Sequence, residues 1–315
     1  MKPYDTFREN LHYISRLADS LDAMQDAQFA QIAGYALRKW KNYPDTDRIA
    51  ALYLTGDPDA DPGELSLSDA RLCTADFARF CRHFKKGLPA EGLLFTGKNR
   101  PAEEDFEDAA DETEADDALF PVSSGTASGG RTAYMQNSYT DRAWRQFARH
   151  LPDMTAEYFS SYPAVCEEVY NGRCPYCILP LYTSADGQLV SFRKLIGKYD
   201  LKICLETEVE MADESVMRFA LLRRRLSPGN LISAPEFMDI SFVLPENSSA
   251  GELIAACEAL GADVTAVYTI PLEYADRTQE FCLELHLPQA NLAGLSVFLE
   301  ASQLRYTLIG MYPFV

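Results

Sequence analysis

Apolar residues step along the start of the chain at helical intervals. Phe7, Leu11, Ile14, Leu17, Leu21 and Met24 fall three or four positions apart, which places them along one face of a helix. A second helix over Ile49–Leu54 follows the start signal Tyr43-Pro-Asp-Thr-Asp47, and a third runs from about Ser68 to Phe84 with Leu72, Phe77, Phe80 and Phe84 inward. No alternating segment interrupts these, so residues 1–87 read as an α-helical unit. From residue 132 the period changes. Strands over Thr132–Met135, Ala156–Phe159, Cys177–Leu181 and Leu201–Glu206 alternate with helices over Thr140–Leu151, Pro163–Tyr170 and Gln188–Tyr199, and a further strand covers Val216–Arg223. That alternation predicts a parallel sheet in an α/β unit over 132–230. Residues 231–315 read strand Met238–Leu244, helix Gly251–Leu260, strand Val264–Ile270, strand Glu280–Leu287, helix Leu292–Leu304 and strand Arg305–Met311. The order βαββαβ predicts a ferredoxin-like α+β unit.

Charge locates the joint between the first two units. Residues 88–131 hold the run Pro101-AEEDFEDAADETEADD ending at Asp117, then the stretch Ser123-SGTASGG ending at Gly130. A run of one sign followed by Ser, Gly and Thr buries too little apolar area to offset its ordering, so it is expected to be a flexible linker, or an acidic tail ordered only on a partner. The chain as a whole carries 29 basic and 47 acidic side chains, a formal charge of −18, which argues against nucleic-acid and anionic-membrane partners. No apolar run approaches the roughly 18–20 residues of a membrane span, and the opening MKPYDTFREN lacks a leader's apolar core. Eight scattered cysteines then read as reduced thiols of a cytoplasmic protein.

Two segments resemble the prephenate dehydratase family. Val165-CEEVYNGRCPYCILPLYTSADGQLV followed by Lys198-YDLKI is similar to that family's lobe motifs, Arg218-Phe219 to the end of its Thr-Arg-Phe strand, and Leu308-IGMYP to the last strand of its regulatory ACT domain. The resemblance implies one lobe of a periplasmic-binding-protein-like fold over 132–230 and an ACT domain over 231–315. In bifunctional members a helical chorismate mutase comes first. Phe7-Arg8-Glu9 and Pro44-DTDRIAAL resemble that domain, with Arg8, Asp45 and Arg48 at its functional positions.

Several positions depart from the pattern. Gln25 stands where the mutase has an arginine and Ala36 where it has a lysine. On the dehydratase side Thr183, Ser184, Arg218 and Phe219 match site positions. Met217, however, replaces the catalytic threonine, and a thioether cannot donate the proton that a leaving hydroxyl needs. From Cys204 to Met217 the chain advances 217 − 204 = 13 positions, where the family places its whole second lobe; a domain needs roughly 50 residues. In the ACT-like part Gly251, Leu253 and Thr269 fall at ligand-binding positions, without the family's arginine and glutamate.

These features imply a regulatory or ligand-sensing homodimer linked to aromatic amino-acid metabolism. Its ligand would be prephenate, chorismate or an aromatic amino acid, with no cofactor and no metal. The alternative is an active dehydratase whose cleft is completed by another subunit. Cys174-Pro-Tyr-Cys177 matches a redox motif as a string, but it opens a strand rather than a helix, where a thiolate lacks support. Arg223-Arg224-Arg225 reads as a solvated strand exit.

Overall fold

The computed structural model describes residues 3–40, 46–66, 72–84, 130–226, 235–244, 249–271, 279–287, 290, 292–302 and 304–315. Asp45 and residues 85–129, which hold nearly all of the acidic linker (88–131), lie outside the described residues. By contacts the chain forms two compact units. One comprises Met1–Leu93, Pro245–Ala262 and Gln289–Leu304; the other comprises Leu94–Leu244, Asp263–Pro288 and Arg305–Val315. This division cuts across the βαββαβ segment, whose helices and strands fall into different units.

The first unit is helical. Helix α1 covers Pro3–Lys39 and α2 covers Thr46–Thr55. Helix α3, Ala75–Cys81, begins later than the periodicity predicts, because Thr74 caps it by accepting from the Phe77 N–H. Two later helices complete the unit, α7 (Ala250–Ala259), opened by a capping box between Ser249 and Glu252, and α8 (Leu292–Ala301). Phe77 and Phe80 lie beside Tyr53 at ring distances of 4.9 and 5.4 Å, and Phe77 reaches Phe298 of α8 at 6.1 Å. Arg82 donates to the Ala259 carbonyl at the end of α7, where a helix carries partial negative charge. The N-terminal helices therefore share an aromatic core with α8, and α3 also packs against α7.

The part of the α1 stripe from Ile14 to Met24 lies outside that core. Ala33 and Ala36 are buried, and Asp22 and Asp26 bind Arg79 and Arg82 of the α3 region. Ile14, Leu17, Leu21 and Met24 instead face solvent, each more than half exposed. Ala36 fills a core position, so no lysine could reach a ligand from there without repacking.

Among the described residues, the second unit is built on a ten-stranded sheet, ordered β2-β1-β3-β6-β5-β10-β7-β9-β8 with β4 pairing β3. The strands are β1 (Arg131–Met135), β2 (Thr155–Phe159), β3 (Tyr176–Thr183), β4 (Gly187–Gln188), β5 (Lys202–Glu210), β6 (Val216–Arg223), β7 (Phe237–Val243), β8 (Asp263–Pro271), β9 (Gln279–His286) and β10 (Arg305–Tyr312). Helices α4 (Ser138–His150), α5 (Tyr162–Tyr170) and α6 (Val190–Lys198) connect the lobe strands. Strands β1, β2 and β3 are parallel, as the alternation predicts. Strand β6 corrects the expectation: it runs antiparallel to both β3 and β5. A five-residue link, 211–215, permits a hairpin and not the dozen-residue crossover a parallel neighbour needs.

Strands β10-β7-β9-β8 keep the order expected of βαββαβ, with antiparallel pairing throughout. They also continue the lobe sheet, because Gly310 of β10 lies beside Ile203 of β5. A Cβ on Gly310 would fall 2.7 Å from the Ile203 Cβ and 2.8 Å from its carbonyl oxygen. Only a residue without a side chain lets the two strands approach so closely. Strand β10 is consequently interior, and its Tyr306, Ile309 and Tyr312 are buried. No helix among the described residues is long and apolar enough to cross a membrane.

Candidate functional site

The antiparallel register of β3 and β6 sets Thr183 opposite Met217 and Tyr182 opposite Arg218. Strand β3 ends there in a tight turn. The Thr183 hydroxyl accepts the Asp186 N–H at 2.9 Å and lies 3.2 Å from its carboxylate. Gly187, at φ 75°, reverses the chain so that β4 pairs back onto β3. Ser184 Oγ accepts the Val216 N–H at 2.9 Å. Four residues separated in sequence thus meet at one strand end: Thr183, Ser184, Met217 and Arg218. Phe219, the next residue on β6, points the other way and is buried in the core with Phe147 and Leu221.

Arg218 is held on several sides. Its Nε donates to Glu208 at 3.0 Å and its Nη1 to Glu284 at 3.4 Å, and its guanidinium lies over the rings of Tyr182 (5.0 Å) and Phe314 (5.8 Å). From Glu284 a network of buried charge runs into β5, β7 and β10. Arg193 of α6 is fully buried and pairs with Asp239 of β7. The Tyr312 hydroxyl donates to Asp239 at 2.9 Å, and Arg193 also donates to Gln188 at 3.2 Å, beside the Thr183 turn.

Glu206 of β5 lies in the same network. Burial, and then the Asp239 carboxylate, push its pKa up to about 8 against the opposing pull of Arg193, so it is largely protonated at neutral pH. Burial, and then Asp239, likewise raise Glu284. Glu206 Oε1, Arg193 Nε and the Tyr268 hydroxyl have no hydrogen-bond partner among the described residues. None of this network was anticipated from sequence. The available signal was a single charged residue inside an apolar strand: Asp239 in FMDISFV and Glu284 in FCLELH.

The remaining candidates are dispersed. Arg8 lies on α1, Asp45 is outside the described residues, and Arg48 of α2 donates to the Pro58 carbonyl and lies over the Trp40 ring. Gly251 is exposed in the first turn of α7, Leu253 is buried, and Thr269 is exposed on β8; the first two belong to one compact unit and Thr269 to the other. Cys174 donates to Glu157 at 3.3 Å, and burial with that contact pushes its pKa up to about 12. Burial also pushes the Cys177 thiol up. Thiols held protonated in this way do not suit exchange chemistry. Among the described residues no group of three or more His, Cys, Asp or Glu is placed to hold a metal ion.

Residues 135–218, which run from the end of β1 to Arg218, match the family model described as prephenate dehydratase. Solved structures similar to the chain include prephenate dehydratases. That from Streptococcus mutans is 18% identical with a TM-score of 0.48, over 58% of this chain and 98% of that one. That from Arthrobacter aurescens, in complex with L-Phe, is 13% identical with a TM-score of 0.45, over 58% and 90%. A structure titled as GqqA, a novel type of quorum quenching acylase, is 21% identical with a TM-score of 0.46, over 58% and 94%. No curated protein matches the chain.

Proposed function

We propose that this chain is a prephenate dehydratase-like protein without the second catalytic lobe, and that it senses a small ligand of aromatic amino-acid metabolism rather than turning one over. The observation that carries this reading is the β5–β6 hairpin. The chain leaves β5 at Glu210 and re-enters at Val216, so the strands between which the second lobe would be inserted are joined directly. Met217 beside Thr183 supplies no proton donor, and Arg218, opposite Tyr182, is engaged by two glutamates. The proposed division is a mutase-like helical segment (1–87), a linker (88–131), a lobe (132–230) and an ACT domain (231–315). The antiparallel order β10-β7-β9-β8 supports the last of these, and Gly251 and Thr269 are its exposed ligand candidates.

Purified protein incubated with prephenate should yield no phenylpyruvate absorbance in base above the spontaneous rate. Turnover at an ordinary enzymatic rate overturns the proposal. It would favour the second reading, an active dehydratase completed by another subunit, for which the match over 135–218 is the supporting observation. Thermal shift with prephenate, chorismate, phenylalanine and tyrosine identifies the ligand, because binding to the native state raises the midpoint.

A dimer also belongs to this reading. Ile14, Leu17, Leu21 and Met24 repeat at intervals of three and four on an exposed helix face, the pattern of a two-helix seam. Light scattering should give twice the chain mass at micromolar concentration; a monomer mass rules the seam out.

A further inference from the structure

We propose that the cleft between α4 and the end of β5 binds a small anion carrying two or more acid groups, at a site separate from the Thr183–Arg218 turn. Helix α4 turns Ala143 and Phe147 into the core and carries Arg142, Arg145 and Arg149 at steps of three and four. Such spacing sets three guanidinium groups along one side of the helix, over about 10 Å of axis. Opposite them lie Glu208, Val209 and Glu210, and the space between, also lined by Gln146, has a volume of about 310 Å³. This is near the lower end of ligand pockets, roughly 300–1,000 Å³.

Both walls are fixed to each other. Arg142 donates to the Glu210 carbonyl at 3.1 Å, and the Thr207 hydroxyl donates to Gln146 Oε1 at 2.6 Å. Two acids line the cleft, and one of them, Glu208, is already paired with Arg218 at 3.0 Å. That leaves the Glu210 carboxylate on the rim, against three arginines. A local excess of cations in a chain of net charge −18 makes this cleft a place where an anion is favoured against the field of the whole molecule.

The chemistry of the ligand follows from the forks. A guanidinium binds carboxylate or phosphate through two parallel N–H donors. Neighbouring arginines are rooted about 5–6 Å apart. A molecule with two acid groups at similar separation engages two of them together, and a monoanion engages one.

Isothermal titration of the full chain tests this with inorganic pyrophosphate in one arm and citrate in the other. Acetate and chloride at matched ionic strength serve as controls. Saturable one-to-one binding of pyrophosphate, citrate or both is expected, and the stronger arm tells phosphate from carboxylate. Binding should fall at least about tenfold in the double variant Arg145→Ser/Arg149→Ser, since each lost charge-assisted pair is worth roughly that factor or more. Both side chains are exposed, so the unliganded melting midpoint of the variant should stay within about 1 °C of wild type. The proposal is overturned by no saturable binding in either arm, by equal affinity in the double variant, or by acetate and chloride reproducing the effect, which would make it ionic screening.

Discussion

The buried Glu206 ties the stability of the strand network to pH in an unusual direction. Its carboxyl sits at about 8 in the folded protein, against an ordinary 4.5. Folding therefore favours the protonated form. Below pH 4.5 both states are protonated and the group costs nothing. As pH rises from 4.5 towards 8 the unfolded chain releases its proton and the folded chain does not, so stability falls; above 8 the loss is complete. A displacement of about 3.5 units corresponds to a total of about 5 kcal/mol, and the part between pH 5 and 7.5 to about 3 kcal/mol. Glu206→Gln keeps the shape of the neutral acid and removes the titration. Urea unfolding of both proteins, followed by circular dichroism at half-unit steps from pH 5 to 8, isolates the effect as a difference. The other groups facing Glu206 (Asp239, Glu284, Arg193 and Arg218) are common to both proteins. The variant should gain on wild type by roughly 1 kcal/mol per pH unit across this window. A difference that stays flat with pH would refute the buried, protonated state of Glu206.

Three further outcomes follow from the same structure. Arg193→Met leaves Asp239 buried without its partner and should cost about 3–5 kcal/mol in urea unfolding, while the double variant Arg193→Met/Asp239→Leu recovers much of the loss; a single-variant cost below about 1 kcal/mol would contradict a buried pair. Gly310→Ala forces a methyl against Ile203 and should lower stability by about 1–3 kcal/mol, whereas Gly56→Ala, at φ 72° with no atom within 4 Å of the added carbon, serves as a comparison in which only backbone strain acts. Limited proteolysis should cut between about Asp105 and Gly130, and the N-terminal piece should co-elute with the remainder on size exclusion until denaturant is added, because Phe77 packs on Phe298; a piece that elutes alone in native buffer would refute the shared core.

Much of this architecture can be read from the residues, and the limits have physical causes. Periodicity identifies which residues share a face, so each helix of the lobe and each strand of the βαββαβ segment is legible. It does not say what covers that face. The stripe Ile14–Met24 is as regular as any core stripe, yet the interior of its unit comes instead from Phe77, Phe80 and Phe298, brought together across more than two hundred positions. The alternation predicts a parallel lobe sheet and does not give the direction of β6, which the short gap before it, 211–215, makes a hairpin partner of β5. At the site, resemblance brought Thr183, Ser184 and Arg218 to notice and the fold does bring them together. The network behind them was hidden because Arg193, Glu206, Asp239 and Glu284 belong to four elements, and none is exceptional within its own.

The alternation of the two compact units along the chain bears on how the protein could be shortened. Three segments of one unit interleave with three of the other, so no single cut yields two self-sufficient pieces. Removing residues 1–87, which by sequence look like a detachable module, would uncover the apolar sides of α7 and α8 that now meet Phe77 and Phe84. The shortened protein would be a sticky one, prone to aggregate. The N-terminal helices thus act as a built-in cover, and the acidic segment that joins them to β1 acts as their tether. A covalent tether holds such a cover at an effective concentration on the order of millimolar. A separately expressed N-terminal fragment should for the same reason rescue the solubility of the truncated chain when supplied in trans, at a concentration high enough to replace the lost tether.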